Sequence, residues 1–342
     1  MVKLKRTDIE RLLILCAAAL VVVLALQGGG QKTTEILYEP PVEFTQTAAE
    51  PAVETQAALV YYQDGDGYLV PVTRQIERQD GIAKAALNTM VKSPKNDMDA
   101  ARLGLRAVIP EGTRFDIDIA NKRARVDLSK EALNVAGIEE ETLMVQAVAG
   151  TLLNFDTVET VEMLFDGQKR SKLTFGTDVA GAFSNDLINL ESVGTSADNA
   201  SGHIQVFFPS QDGRLLVPVT RTVFSNADMT TALLELAKGP RPDSGLERAL
   251  PPDVGIKEVT LKNGVATVNF TKDFKTAMEQ HPAAKMTLRA ITYTLLKFPD
   301  VKSVEIQVEG EKYTPPADDA ATTFINDADE VMSQYPGVIE ID

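Results

Sequence analysis

Six residues, Leu69-Val70-Pro71-Val72-Thr73-Arg74, occur twice, letter for letter, the second time as Leu216-Val217-Pro218-Val219-Thr220-Arg221. The displacement is 216 − 69 = 147 residues. A shared hexapeptide with a proline in it is improbable by chance, and an internal repeat constrains the fold before any local signal does. The match continues on both sides. Val60-Tyr61-Tyr62 answers to Val206-Phe207-Phe208, and Thr151-Leu152-Leu153-Asn154-Phe155 answers to Thr294-Leu295-Leu296-Lys297-Phe298. The larger part of the chain is therefore one fold written twice.

Each copy reads as the same series of elements. Ala58 to Tyr62 and Tyr68 to Arg74 form a hairpin about the turn residues Gln63-Asp64-Gly65-Asp66-Gly67. Pro71 and Pro218 cannot donate to a ladder, so each belongs on an edge or has its missing N–H directed away from a neighbour. A short amphipathic helix follows, Ile82 to Val91, stopped by Ser93-Pro94; its copy is Met229 to Ala237, stopped by Gly239-Pro240. A variable loop leads to Ile109-Pro110 and Leu250-Pro251. Next come alternating strand pairs, Arg114–Ile119 with Ala124–Leu128, and Ile256–Leu261 with Val265–Phe270. The second pair carries Asn263-Gly264, the strongest short hairpin signal. A longer helix runs from about Glu140 to Asn154, and its copy carries Met286, Leu288, Ile291, Leu295 and Phe298. A last strand, Thr160–Phe165 or Ser303–Val308, closes each copy. The class is α/β (α+β), two tandem β-β-α-β-β-α-β units. Strand alternation implies one wet face, so each unit is expected to carry its helices on one side of a five-stranded mixed sheet.

Lys3, Lys5, Arg6 and Arg11 precede an apolar run from Leu12 to Leu26. A basic flank before an apolar run directs a chain to a membrane, with the basic end cytoplasmic. At 1.5 Å per residue this run spans about 22 Å, short of a hydrocarbon core of about 30 Å, a gap that flanking side chains can bridge. An uncleaved anchor is expected; cleavage near Gly28 and Gly30, and lipidation at Cys16, are the rivals. The chain then divides into a membrane anchor or signal segment (1–27), a disordered tether (28–56), a first domain (57–183), a linker (184–202), a second domain (203–315) and an acidic tail (316–342). Leu187, Ile188 and Leu190 give the linker apolar positions with which to dock, and Phe324, Ile325, Val331, Met332 and Tyr335 allow the otherwise mobile tail to dock as a short helix.

A formal charge of −15 argues against nucleic acid, which demands basic clusters. One cysteine excludes an intrachain disulfide and a cysteine-based zinc cluster. No phosphate-binding loop, dinucleotide fingerprint, zinc-protease helix or nucleophile elbow is present. His203 and His281 have no counterparts in the other copy and read as loop residues. Asp64 and Asp66 read as turn residues, because a calcium loop starting at Asp64 would need Glu where Gln75 stands. Asp127 is replaced by Asn269 in the second copy. A general acid or base would not survive that exchange, whereas a strand-end or, above all, helix-capping acceptor for a backbone N–H would. Arg74 and Arg221 pair with an acid of their own unit or cover the sheet edge; pairing with a partner's carboxylate is the functional reading. No catalytic residue, cofactor site or metal site is assigned.

As a set, the repeated Leu-Val-Pro-Val-Thr-Arg, the helix ending at Gly239-Pro240, the Ile-Pro and Leu-Pro pairs, Val-Asp-Leu-Ser-Lys-Glu at 126–131 and Thr-Leu-Leu-Lys-Phe-Pro at 294–299 resemble the GerMN-domain family. The resemblance covers about 57–183 and 203–315. It implies a non-enzymatic, membrane-tethered envelope protein of sporulation and spore germination. It also implies domains similar to ring-building modules, with sporulation channel proteins or further copies of the chain as partners. Attachment through a lipidated cysteine is implied too, but here Leu15, not a small residue, precedes Cys16. Two other functions compete with a scaffold. A peptidoglycan- or carbohydrate-binding module would use Tyr61, Tyr62, Phe207 and Phe208 as stacking platforms. A wall hydrolase would need two carboxylates about 5–10 Å apart, and no acidic pair recurs in both copies.

Overall fold

Alternating apolar residues around Asp-Gly turn chemistry build a hairpin at the head of each repeat. The computed structural model describes residues 54–79, 81–184, 187–191, 202–280, 284–315 and 325–334. The expected membrane segment with Cys16, nearly all of the tether, and His281 lie outside the described residues. Among the described residues, no helix is long and apolar enough to cross a membrane.

In the first repeat β1 (Thr55–Gln63) pairs antiparallel with β2 (Leu69–Glu77). Asp64 Oδ1 accepts the N–H groups of Asp66 (3.0 Å) and Tyr68 (2.8 Å), which closes the turn. Next come α1 (Ile82–Thr89) and α2 (Pro94–Ala101). The loop expected after Ser93-Pro94 is thus partly helix. Ser93 Oγ accepts the Asn96 N–H and Pro94 opens α2, so the two residues that stop one helix start the next. β3 (Phe115–Ala120) and β4 (Arg123–Leu128) join through Asn121 and Lys122, both at positive φ (51° and 60°). That is the primed turn matching the strands' twist. A 3-10 turn (Lys130–Leu133) and α3 (Ile138–Leu153) carry the chain to β5 (Thr160–Phe165), which lies parallel to β4. A two-residue β6 (Ala182–Phe183) then pairs antiparallel with β5.

After the short β7 (Leu190–Glu191) the series repeats. It comprises β8 (Gly202–Pro209), β9 (Leu216–Val223), α4 (Met229–Lys238), β10 (Ile256–Lys262), β11 (Val265–Phe270), α5 (Asp273–Gln280), α6 (Ala284–Leu296), β12 (Ser303–Val308) and β13 (Glu311–Lys312). α5 replaces the 3-10 turn of the first copy. A final helix, α7 (Ala328–Gln334), lies in the segment expected to be an acidic tail.

The five strands of a unit do not share one sheet, contrary to expectation. The hairpin β1-β2 forms its own ladder, and β3-β4-β5-β6 forms another; in the second repeat the ladders are β7-β9-β8 and β10-β11-β12-β13. The long helix explains the split. From Ala147 to Leu152 every residue of α3 is buried, as is every residue of α6 from Met286 to Ile291. A helix with no wet face needs cover on more than one side. α3 packs against β1 of the hairpin and β5 of the mixed sheet, and α6 against β8 and β12. Gly150 makes the approach possible, because a Cβ there would stand 2.9 Å from Tyr61 and from Ile188. Each repeat has its own core, yet Leu215 and Val217 of the second hairpin, with Ala328 and Val331 of α7, are buried in the core of the first. The described residues of the two repeats belong to one compact unit.

Candidate functional site

The repeated hexapeptide lies on β2 and β9, which pack against each other where the two repeats meet. In an antiparallel hairpin alternate residues direct their N–H and C=O groups away from the partner strand. In β2 these outward residues are Leu69, Pro71 and Thr73, and in β9 Leu216, Pro218 and Thr220. Their backbone groups are met by two asparagines from the segments expected to be linker and tail. Asn189 Oδ1 accepts the Leu69 N–H (2.9 Å), and its Nδ2 donates to the carbonyls of Leu69 and Pro218 (both 2.8 Å). Asn326 Oδ1 accepts the Leu216 N–H (2.8 Å), and its Nδ2 donates to the carbonyls of Pro71 (2.7 Å) and Leu216 (2.8 Å). Each asparagine therefore binds both hairpins, and the two arrangements are related by an approximate two-fold exchange.

The threonines complete the pattern. Thr220 Oγ1 donates to the Ile188 carbonyl (2.7 Å), and Thr73 Oγ1 donates to the Ile325 carbonyl (2.9 Å). The segment after the first repeat thus continues along β9 as β7, parallel, through Leu190 and Glu191. The segment after the second repeat meets β2 at a single parallel bridge, Thr73 with Asp327. Each proline fits because its missing N–H falls on the seam, where the neighbouring asparagine donates to the proline carbonyl. The letter-for-letter repeat is accounted for by this shared geometry: Leu, Pro and Thr each perform the same bonding on both sides.

Arg74 and Arg221 end the hexapeptide and do pair within the chain. Arg221 meets Glu191 (3.0 Å) and Glu235 (3.4 Å), donates to the carbonyls of Glu235 and Gly239 (both 2.8 Å), and lies over the Phe208 ring. Arg74 donates to the Tyr62 hydroxyl (2.9 Å) and meets Asp99 at 3.5 Å. Burial works against the charge on Arg74; Tyr62 and Asp99 outweigh it and hold its pKa above the usual arginine value.

Other singled-out residues have plainer tasks. Asp127 Oδ1 accepts the Gly167 N–H (3.0 Å), and Asn269 Oδ1 accepts the Gly310 N–H (3.0 Å). The Asp-for-Asn exchange preserves one acceptor at the turn after the last long strand. The carboxylate of Asp64 is engaged by its own turn, and burial raises its pKa above the ordinary aspartate value against those bonds. His203, expected in a loop, lies exposed on β8 opposite Thr222, because the strand starts earlier than the apolar run at Val206 suggested. Tyr61, Tyr62, Phe207 and Phe208 are all buried, so none offers a ring face to a sugar. Among the described residues, no three His, Cys, Asp or Glu side chains are grouped to hold a metal ion.

Glu141, not singled out in the sequence, is fully buried and accepts the N–H groups of Phe175 (3.0 Å) and Thr177 (3.0 Å), pinning the loop after β5. With Thr151 answering to Thr294, Ala284 stands in its place in the second repeat, so the repeat gave no signal. Asn189 and Asn326 did carry one, the dipeptide Ile-Asn after each repeat, but the segments around it share little else.

The family model for Germane, described as sporulation and spore germination, matches residues 59–171 and again 205–314. The spore germination protein GerM of Bacillus subtilis (strain 168) is 31% identical over 297 residues, covering 83% of this chain and 80% of GerM. The solved structure of the tandem GerMN domains of the sporulation protein GerM from Bacillus subtilis superposes with a TM-score of 0.67 at 31% identity. It covers 75% of this chain and 92% of that one. Both repeats, their order and their joint fold are accounted for by these matches, and the chain belongs to the Germane (GerMN) family of sporulation and spore-germination proteins.

Proposed function

We propose that this protein acts in sporulation and spore germination as a non-enzymatic scaffold of the cell envelope. It is held at the membrane by its N-terminal segment and binds other proteins through its paired domains. The observation that carries the reading is the seam: the repeated hexapeptide joins one repeat to the other, so the paired domains present themselves as one body. The buried aromatic pairs count against a sugar-binding platform, and the likeness to GerM supports the process. The basic flank and the apolar run from Leu12 to Leu26 support tethering.

The test is complementation of a Bacillus subtilis strain lacking GerM, with spore yield and germination as readouts. The full chain is expected to restore both. A chain without residues 1–27 is expected to leave the membrane fraction and restore neither. Stable, membrane-bound expression without any restoration would sink the proposal.

A further inference from the structure

Arg74 and Arg221 hold the same place in the two repeats but not the same company. Glu191 reaches Arg221 along the edge of β9, as part of the parallel β7. Glu235 reaches it from α4. In the first repeat Asn88 stands where Glu235 stands in the second, at the same displacement of 147 (235 − 88) as the hexapeptide. The edge of β2 is followed only as far as Thr73, because the chain turns into α7 at Ala328 where a counterpart of Glu191 would lie. One carboxylate, Asp99, remains near Arg74, at 3.5 Å.

A cavity of about 600 Å³ opens in this place, against about 330 Å³ beside Arg221, where Glu191 forms part of the wall. Arg74, Gln75, Lys84, Asn88, Lys95 and Asn96 are among its lining residues. Three cations, Arg74, Lys84 and Lys95, face two acids, Glu77 and Asp99. Gln75 and Glu77, the next residues along β2, are exposed.

We propose that this cavity is the docking site for an extended acidic segment of a partner protein, whose Glu or Asp carboxylate pairs with Arg74 as Glu191 pairs with Arg221. The chain supplies its own template for the occupant, since Leu190-Glu191 lies on the equivalent edge of the other repeat. The inference rests on the scaffold reading only in requiring that a protein partner exists.

The test uses the full chain and a labelled, end-capped synthetic peptide, Glu-Ser-Val-Gly-Thr, copying residues 191–195, because Ile325, Asn326 and Asp327 already fill the edge of β2 up to Thr73. Fluorescence anisotropy is expected to show saturable binding that weakens with salt. Binding should fall at least about tenfold with Arg74→Gln or with the peptide's Glu changed to Gln, the scale of one lost charge-assisted pair. Lys95→Gln, at an exposed site that leaves the core untouched, is expected to weaken it several-fold. Backbone amide shifts should concentrate at Arg74 to Glu77. Absence of saturable binding, or binding indifferent to Arg74→Gln and Lys95→Gln, overturns the proposal. So does equal competition by free glutamate or phosphate at matched ionic strength, which makes the cavity a small-anion site. Binding that emerges only when the chain ends at Gln334 also overturns it, by making the chain's own last residues the occupant. Failure of the peptide does not touch the scaffold reading, which stands or falls by complementation.

Discussion

Asn189 and Asn326 sit at φ 53° and 43°, in the left-handed region that asparagine tolerates better than most residues. Each turns its side-chain amide onto three backbone groups. Asn326 is buried, so its removal leaves those groups without water. Asn326→Ala is expected to cost about 2–4 kcal/mol in urea unfolding, and Asn189→Ala, at a half-buried site, about 1–2 kcal/mol. Equal effects would mean that burial does not set the cost. Lys122 also has a positive φ, and the second repeat has Gly264 at that turn position. Lys122→Gly should raise stability by about 0.5–1 kcal/mol, read as an increase in melting temperature. Residues whose work is doubled were legible. The exchange of Asp127 for Asn269 pointed to an N–H acceptor, and both are acceptors, though at the turn after the last long strand and not at a helix cap. Glu141 was illegible because a lone acid near a helix start looks like any solvated one, and only tertiary structure brings the loop after β5 to it.

The elements common to both repeats followed from periodicity, whereas α2, α5 and the way the strands divide did not. The two expected long helices lie within a few residues of their observed bounds, and the hairpin at Asn263-Gly264 formed as its turn chemistry demanded. The single five-stranded sheet fails because it requires α3 to have only one apolar face. The uninterrupted small and apolar stretch from Ala147 to Leu152 was the available sign of cover on two sides. A short docked helix was the alternative that the tail's apolar residues offered, and α7 is that helix; its anchoring was illegible, since it depends on charges distant in sequence. Glu330 meets Arg289 (2.6 Å) and Lys285 (2.7 Å) on α6. Burial pushes the Glu330 carboxyl up, and the bonds from Lys285 and Arg289 outweigh it, so its pKa stands below the ordinary glutamate value. A lowered carboxylate pKa contributes stability that is fully present above the unfolded value and fades as pH falls through the folded one. Amide exchange in α7 should therefore accelerate as pH drops below about 4.3, relative to the protein's other helices. Glu330→Gln should exchange faster at neutral pH and lose that pH dependence. An α7 that loosens identically in both proteins would refute the assignment.

At the scale of the whole molecule, duplication has become interdependence. β9 is extended by the segment that follows the first repeat, and β2 is met by the segment that follows the second. Buried residues of one repeat belong to the core of the other. Calorimetry of the full chain should accordingly show a single transition for both repeats. A chain stopped after Pro315 keeps every expected strand and helix of both domains but loses Ile325, Asn326 and Val331 from the seam. It should melt at a lower temperature, with the first hairpin cut by protease sooner than the second. Identical melting of the two chains would show that the final helix is ornamental.

Thr73 obtains its partner carbonyl from a residue 252 positions further on. Synthesis runs from the N-terminal side onward, so that half of the clasp is made only after both repeats have been synthesised. A nascent chain in which Ile325 and Asp327 have not yet emerged thus displays an unfinished strand edge, and only a chain carried past them hides it.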